Sequence, residues 1–160
     1  MKKIGFLCCA SEIGKIVANQ CIDKGIQLST VKLQKLLIMM HGVYFATYNK
    51  PLFKEKVTLM KHGVAIKEVD KDFRYEILYN EKFQGYICLT EDQQKVVDEV
   101  IKIYGKCDSF ELNKVPELVK LANFLDGFDA PASVVNGAIG AIFESNILVN
   151  KLKFINDLNR

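Results

Sequence analysis

Residues 30–53 read TVKLQKLLIMMHGVYFATYNKPLF, and the reading of this stretch decides the fold. Thr30 is suited to cap a helix, and Leu33, Leu36, Leu37, Met40, Tyr44 and Tyr48 then recur at helical spacing. Leu33 stands where a capping box would place Glu or Gln. Lys32, Gln34 and Lys35 fall toward the outside of such a helix. Asn49 and Pro51 supply its end. The pattern predicts a central core helix.

On the N-terminal side, Ser11 can cap a helix running to about Lys24, with Ile13, Ile16, Val17 and Cys21 inward and Gly25 as its stop. On the other side the pattern changes. KVTLMK (56–61) and FRYEILYNEKFQGYICL (73–89) are rich in β-branched and aromatic residues, with Asn80 and Gly85 as turn candidates. They predict two or three short strands. Thr90, Glu91 and Asp92 open a further helix, with Val96, Val97, Val100, Ile101 and Tyr104 inward and Gly105 as its stop. Asp108 or Ser109 starts a short segment, and Pro116 suits the first position of another helix. Leu112, Val115, Leu118, Val119 and Leu121 should point inward across both. A helix is expected from about Ala132 to Ser145, where NGAIGA (136–141) would let another backbone approach closely. The segment 146–160 reads as an amphipathic helix using Leu148, Leu152, Ile155 and Leu158. The fold class is mainly α (α+β): a compact helical domain, residues 1–160, with a small antiparallel β element.

Composition narrows the function classes. Hydrophobic residues at 49% and charged residues at 26% fit a globular chain rather than a disordered one. Of the 22 basic residues only Arg74 and Arg160 are arginines, which argues against sequence-specific reading of base edges. No stretch approaches the roughly 20 apolar residues of a membrane span. The opening MKKIGFLCCASE imitates a leader, but its apolar run ends at Ser11, so a cytoplasmic location is expected. Five cysteines without a CxxC pair give no thiolate zinc site and read as reduced thiols. His41 lies within the apolar helix and reads as a core histidine; His62 adjoins Gly63 in a strand or turn. No hydrolase, phosphate-loop, dinucleotide or metalloprotease motif occurs, so no catalytic, cofactor or metal residue is assigned.

The opening stretch also matters as a set. Ala18 and Asn19 on an early helix precede Gly25, Ile26, Leu28, Ser29 and Thr30. K-L-Q-K-L-L (Lys32 to Leu37) follows, then the Asn-Lys-Pro-Leu-Phe exit (Asn49 to Phe53) and Glu55. This arrangement resembles the Panacea antitoxin family, also described as SocA-like or phage-associated proteins, clearly over about residues 15–70. The resemblance implies a non-enzymatic, protein-binding module. Its members neutralise a cognate toxin, or deliver it as adaptors to a Clp-type protease, and no cofactor is implied. The family's usual A-W-x-x-G-P-V segment is here Thr58 to Ile66, without the Trp and the Pro, and K-L-L-I-M-M-H stands for K-L-L-Y-F-A-Q. Aromatic anchors often dominate binding energy, so this loss points to a different partner or to a role outside toxin neutralisation.

Three readings follow: an antitoxin, a phage- or prophage-encoded inhibitor of a host defence or nuclease system, and a small cysteine-dependent enzyme pairing a thiol with His41 or His62. Gln34 and Lys35 are either solvated polar residues or, with Lys61 and His62, a contact patch. Tyr75, Tyr79, Phe83 and Tyr86 form a second candidate surface on the β element. The C-terminal helix is a third, able to bind a partner or pair in a homodimer.

Overall fold

The computed structural model describes residues 8–74, 82–84 and 88–159. Among them are eight helices and one two-stranded antiparallel sheet: α1 (Ala10–Asp23), α2 (Thr30–Tyr48), β1 (Thr58–Met60), β2 (Gly63–Ala65), α3 (Lys67–Phe73), α4 (Glu91–Tyr104), α5 (Ser109–Leu112), α6 (Pro116–Leu125), α7 (Ala132–Phe143) and α8 (Ile147–Leu158). The class is mainly α, as the spacing predicts. α2 is the hub: α1, α3, α4, α5, α7, α8 and β2 all pack on it. Leu33, Leu36, Leu37, Ile38, Met39, Met40 and Val43 are fully buried. An encircled helix has no solvent stripe, so its apolar residues cover every side. Each such side chain stabilises the fold by about 1.5–3 kcal/mol relative to exposure.

The same encirclement corrects the outward placement of Lys32, Gln34 and Lys35. They are 7%, 2% and 1% exposed respectively. Two helix starts also differ from expectation. Ser29, not Thr30, caps α2 by accepting from the Lys32 N–H, while the Thr30 hydroxyl donates to the Phe73 carbonyl at 3.0 Å. Ser11 does not cap α1; it donates to Asp72 at 2.6 Å. The N–H of Ala10 at the start of α1 donates instead to Glu55 Oε1 at 2.8 Å. This ties the acidic residue after the Pro-Leu-Phe exit to the first helix. Asn49, with φ 56°, closes α2 in the left-handed conformation.

The sheet also departs from the expected layout. β1 pairs with the segment immediately after it, Leu59 opposite Val64, across a turn at Lys61 and His62. Phe73 ends a helix rather than starting a strand, and the described residues 82–84 and 88–90 form no strand. Tyr75, Tyr79 and Tyr86 lie outside the described residues. The expected capping signals hold at α4, where Thr90 and Gln93 form a full capping box, and at Pro116, the first residue of α6. Val119 and Leu158 are 41% and 67% exposed rather than inward.

α7 crosses α2 closely, as the NGAIGA run implies. A Cβ on Gly140 would come within 2.9 Å of the Phe45 ring, and one on Gly42 within 2.4 Å of the Phe143 ring. Each helix therefore offers a glycine to an aromatic ring of the other. No single described helix is long and apolar enough to cross a membrane; α7 and α8 pass that test only jointly, across an 84° bend.

Candidate functional site

Gln34 and Lys35 read in the sequence either as solvated residues or as a patch with Lys61 and His62, and the structure brings all four to one pocket of about 310 Å³ beside the β1–β2 turn. The arrangement is built from α2 outward. Lys35 Nζ donates to the His62 carbonyl at 2.7 Å and to the Val64 carbonyl at 3.4 Å. The Asn113 amide, next to α5, donates to the same His62 carbonyl at 3.2 Å. Gln34 Oε1 accepts from the Ile66 N–H at 3.0 Å, and its Nε2 donates to Asp70 at 3.1 Å and to the Thr30 carbonyl. Two buried side chains of the central helix thus fasten both ends of β2. Gly63 is required at this point. Its φ is +104°, and a Cβ would lie 2.7 Å from Asn113 Oδ1 and 3.1 Å from the Lys35 ammonium.

The outer rim has a different character. Lys61 and His62 are exposed on the turn, and Met60 and Leu59 are each 37% exposed. Arg74 lies across the pocket and pairs with Asp70 at 3.4 Å. Leu59 and Met60, in the segment compared above with the family's A-W-x-x-G-P-V, lie at the surface rather than in the core. Met60, Asp70, Arg74 and Asn113 belong to this site without having been singled out. Gly63 was the only sequence signal for its turn.

Burial pushes the Lys35 ammonium down to about 8, and among the described residues no carboxylate pairs with it. Its two carbonyl acceptors hold the protonated form, so it acts as a hydrogen-bonding clamp. His41 is a core histidine with a structural task. It is fully buried, its Nε2 lies 2.9 Å from Asn136 Oδ1, and its Nδ1 accepts from the Leu52 N–H at 3.2 Å. This fixes the neutral form with the proton on Nε2, and burial lowers its pKa to about 4. The ring also stacks on Phe53, with centroids 4.1 Å apart. His41 therefore joins α2 to the Leu52–Phe53 exit, and both its nitrogens are engaged, which leaves neither for a thiol. Burial raises Cys21 to about 11, so it stays protonated at neutral pH. Among the described residues no group of three His, Cys, Asp or Glu side chains could hold a metal ion.

Of the aromatic surface, Phe83 alone is described. It is half-buried, its ring meets Phe73 edge-on, and its backbone exchanges two hydrogen bonds with the Asn19 side chain, at 2.7 and 2.8 Å. Asn19 thus mimics a strand partner for one residue, and Phe83 serves the core. On α8, Leu148, Val149 and Leu152 are buried, while Ile147 and Phe154 are 69% and 65% exposed.

No curated protein and no solved structure matches the chain. The family model for antitoxin SocA-like proteins, Panacea domain, matches residues 33–116. The matched segment begins inside α2, includes the whole clamp from Gln34 to Asn113, and ends at the start of α6. With more than half of its residues covered, the chain belongs to the SocA-like antitoxin, Panacea domain family.

Proposed function

We propose that this protein is an antitoxin that neutralises a toxin by direct contact, and that the contact is made by the β1–β2 turn and the pocket beneath it. The family supports a role of the toxin–antitoxin type. The observation that carries the choice of surface is the clamp: Lys35, Gln34 and Asn113 hold the turn from inside while Met60, Lys61 and His62 stay exposed. A turn fixed before binding loses little entropy on docking, so its contacts count nearly in full toward affinity. Met60 and Leu59 offer apolar contact, and Lys61 and Arg74 offer positive charge to an acidic partner.

The test is co-expression with the toxin encoded beside it, with growth rescue and stoichiometric capture as readouts. Met60→Asp and Lys61→Glu should abolish rescue with the circular dichroism spectrum unchanged, whereas Lys153→Glu on α8 should not. Full rescue by both turn variants would move the interface elsewhere, to the aromatic segment containing Phe83 or to α8. Measuring the toxin's half-life in the same cells, with and without a Clp-type protease, separates simple neutralisation from delivery for degradation.

One observation favours a second reading. The exposed Leu59 and Met60, in the segment where the family carries a Trp, give this surface another chemistry, which suits a partner other than a typical toxin, such as a host defence protein or nuclease. Capture of such a protein through the same turn, with no toxic neighbour, would select this reading.

A further inference from the structure

Lys32, three residues before Lys35 on α2, is buried under different terms. The residue is 7% exposed, yet its ammonium makes no hydrogen bond and no ion pair among the described residues. Asp108 and Glu111 act on it only through space. Both are already engaged in the box that caps α5: Asp108 Oδ1 accepts from the Glu111 N–H at 2.8 Å, and Glu111 Oε1 from the Asp108 N–H at 3.0 Å. The stem of Lys32 is buried while its ammonium opens on a groove with no partner among the described residues, so whatever fills the groove supplies its hydrogen bonds.

Lys32 lines an open groove of about 610 Å³ between the α1–α2 connection and the α4–α5 junction. Lys24 and Lys106, both exposed, flank the same groove, against the single carboxylate of Asp108. Ser29 and Ser109 bring two hydroxyls. Ser29 Oγ accepts from the Lys32 N–H, which leaves its own proton to donate outward. Ser29 is also the N-cap of α2, a 19-residue helix whose dipole is positive at this end. Three ammonium groups, two hydroxyls and a helix N-terminus exceed what one carboxylate ligand would neutralise. They suit a group with about two negative charges and several acceptor oxygens.

We infer that this groove is a binding site for a small phosphate-bearing anion, a diphosphate group, with Lys32 as its donor and Lys24 and Lys106 at its rim. The source of the diphosphate is either an inorganic anion or a nucleotide. Burial lowers the pKa of Lys32, while the Asp108 and Glu111 carboxylates pull it the other way; a bound anion would pull it in the same direction as they do. This inference is independent of the antitoxin reading.

The experiment is calorimetric titration of the full chain with inorganic pyrophosphate and, separately, with ADP, at constant ionic strength. Each should show one saturable site. Lys32→Met should weaken binding at least tenfold, because the ammonium that opens on the groove is removed. The double variant Lys24→Ala, Lys106→Ala should weaken binding by about tenfold, and the exposed, remote Lys153→Ala should leave it unchanged. Tighter binding of ADP identifies a nucleotide site, and equal binding a site for the diphosphate alone. Absence of saturable binding by both ligands overturns the inference. So does unchanged binding in the rim double variant, which also decides the matter if Lys32→Met fails to fold. Equal weakening by Lys153→Ala would reduce the effect to bulk charge and overturn it as well.

Discussion

The first and second halves of α2 are equally buried but are held by different forces. From Thr30 to Leu37 the helix carries polar groups inward, and Thr30, Gln34 and Lys35 meet backbone or side-chain atoms of β2 and α3. From Ile38 to Val43 it is apolar except for His41, and it is held by shape, with Gly42 against Phe143. The hydrogen-bonded half positions the exposed turn, because polar contacts are directional. The packed half contributes through apolar burial, which is not directional and scales with area, as do Leu33, Leu36 and Leu37 in the first half. One helix thus serves as scaffold at one end and as a positioning device at the other.

This contrast is open to breakage. The largest effect should come from the packed half. Gly42→Val places a Cβ 2.4 Å from the Phe143 ring and should destabilise by about 3 kcal/mol, read by urea denaturation. A cost under about 1 kcal/mol would mean that α7 shifts freely and that shape does not hold this half.

Each half also carries a titration. His41 has its folded pKa depressed from 6.5 to about 4, so the unfolded chain takes up the proton first. Stability is therefore full above about pH 6.5 and falls as the pH drops toward 4, by about 3 kcal/mol. His41→Gln should flatten that slope while keeping a hydrogen-bonding side chain at the site. Lys35 runs at the alkaline end: its folded pKa of about 8 lies below the ordinary 10.5, so the unfolded chain again holds the proton longer. Its contribution makes stability rise from pH 8 toward 10.5, by up to about 3 kcal/mol, and Lys35→Met should abolish that rise.

Gln34→Leu tests the polar half more gently. It strands the buried Ile66 N–H and should cost about 2 kcal/mol. It should also weaken toxin capture by more than its stability loss explains, because the turn loses one of its anchors. Thr30→Val removes one hydrogen bond to the Phe73 carbonyl and should cost about 1 kcal/mol with capture unchanged. If Gln34→Leu left capture intact at equal occupancy, the positioning role would fall.

The helices were legible in the sequence because spacing and punctuation act locally. Leu33, Leu36 and Leu37 mark α2, Thr90 and Gln93 mark α4, and Pro116 marks α6. His41 reads as a core residue for the same reason. The site was legible only as a set of names. Spacing on α2 put Lys32, Gln34 and Lys35 outside, because nothing local reveals that a hairpin some 30 residues later will cover Gln34 and Lys35, or that the α4–α5 junction will pack beside Lys32. Ser29 and Thr30 are both competent caps, and the competing bond from Thr30 to Phe73 decides between them. Phe73 looked like strand because it is aromatic, but Glu68 and Asp70 in the first turn and a helical burial pattern at Val69 and Phe73 make it the end of α3. Asn113 gave no signal at all, since its role depends on where a turn 51 residues earlier arrives.

The His41–Asn136 bond spans 95 residues, and the glycine–aromatic exchange between α2 and α7 spans a similar length of chain. During synthesis, α2 therefore emerges long before the helix that covers its apolar half. Until residue 143 has left the ribosome, Ile38 to Val43 stay without their main cover, and contacts this distant in sequence form late. A nascent chain stalled before α7 would present chaperones and proteases with an uncovered apolar stretch of its central helix. The turn, by contrast, needs only the chain to Asn113 to be fastened. The anchors of the turn are therefore complete in the chain before α7 covers the packed half of α2.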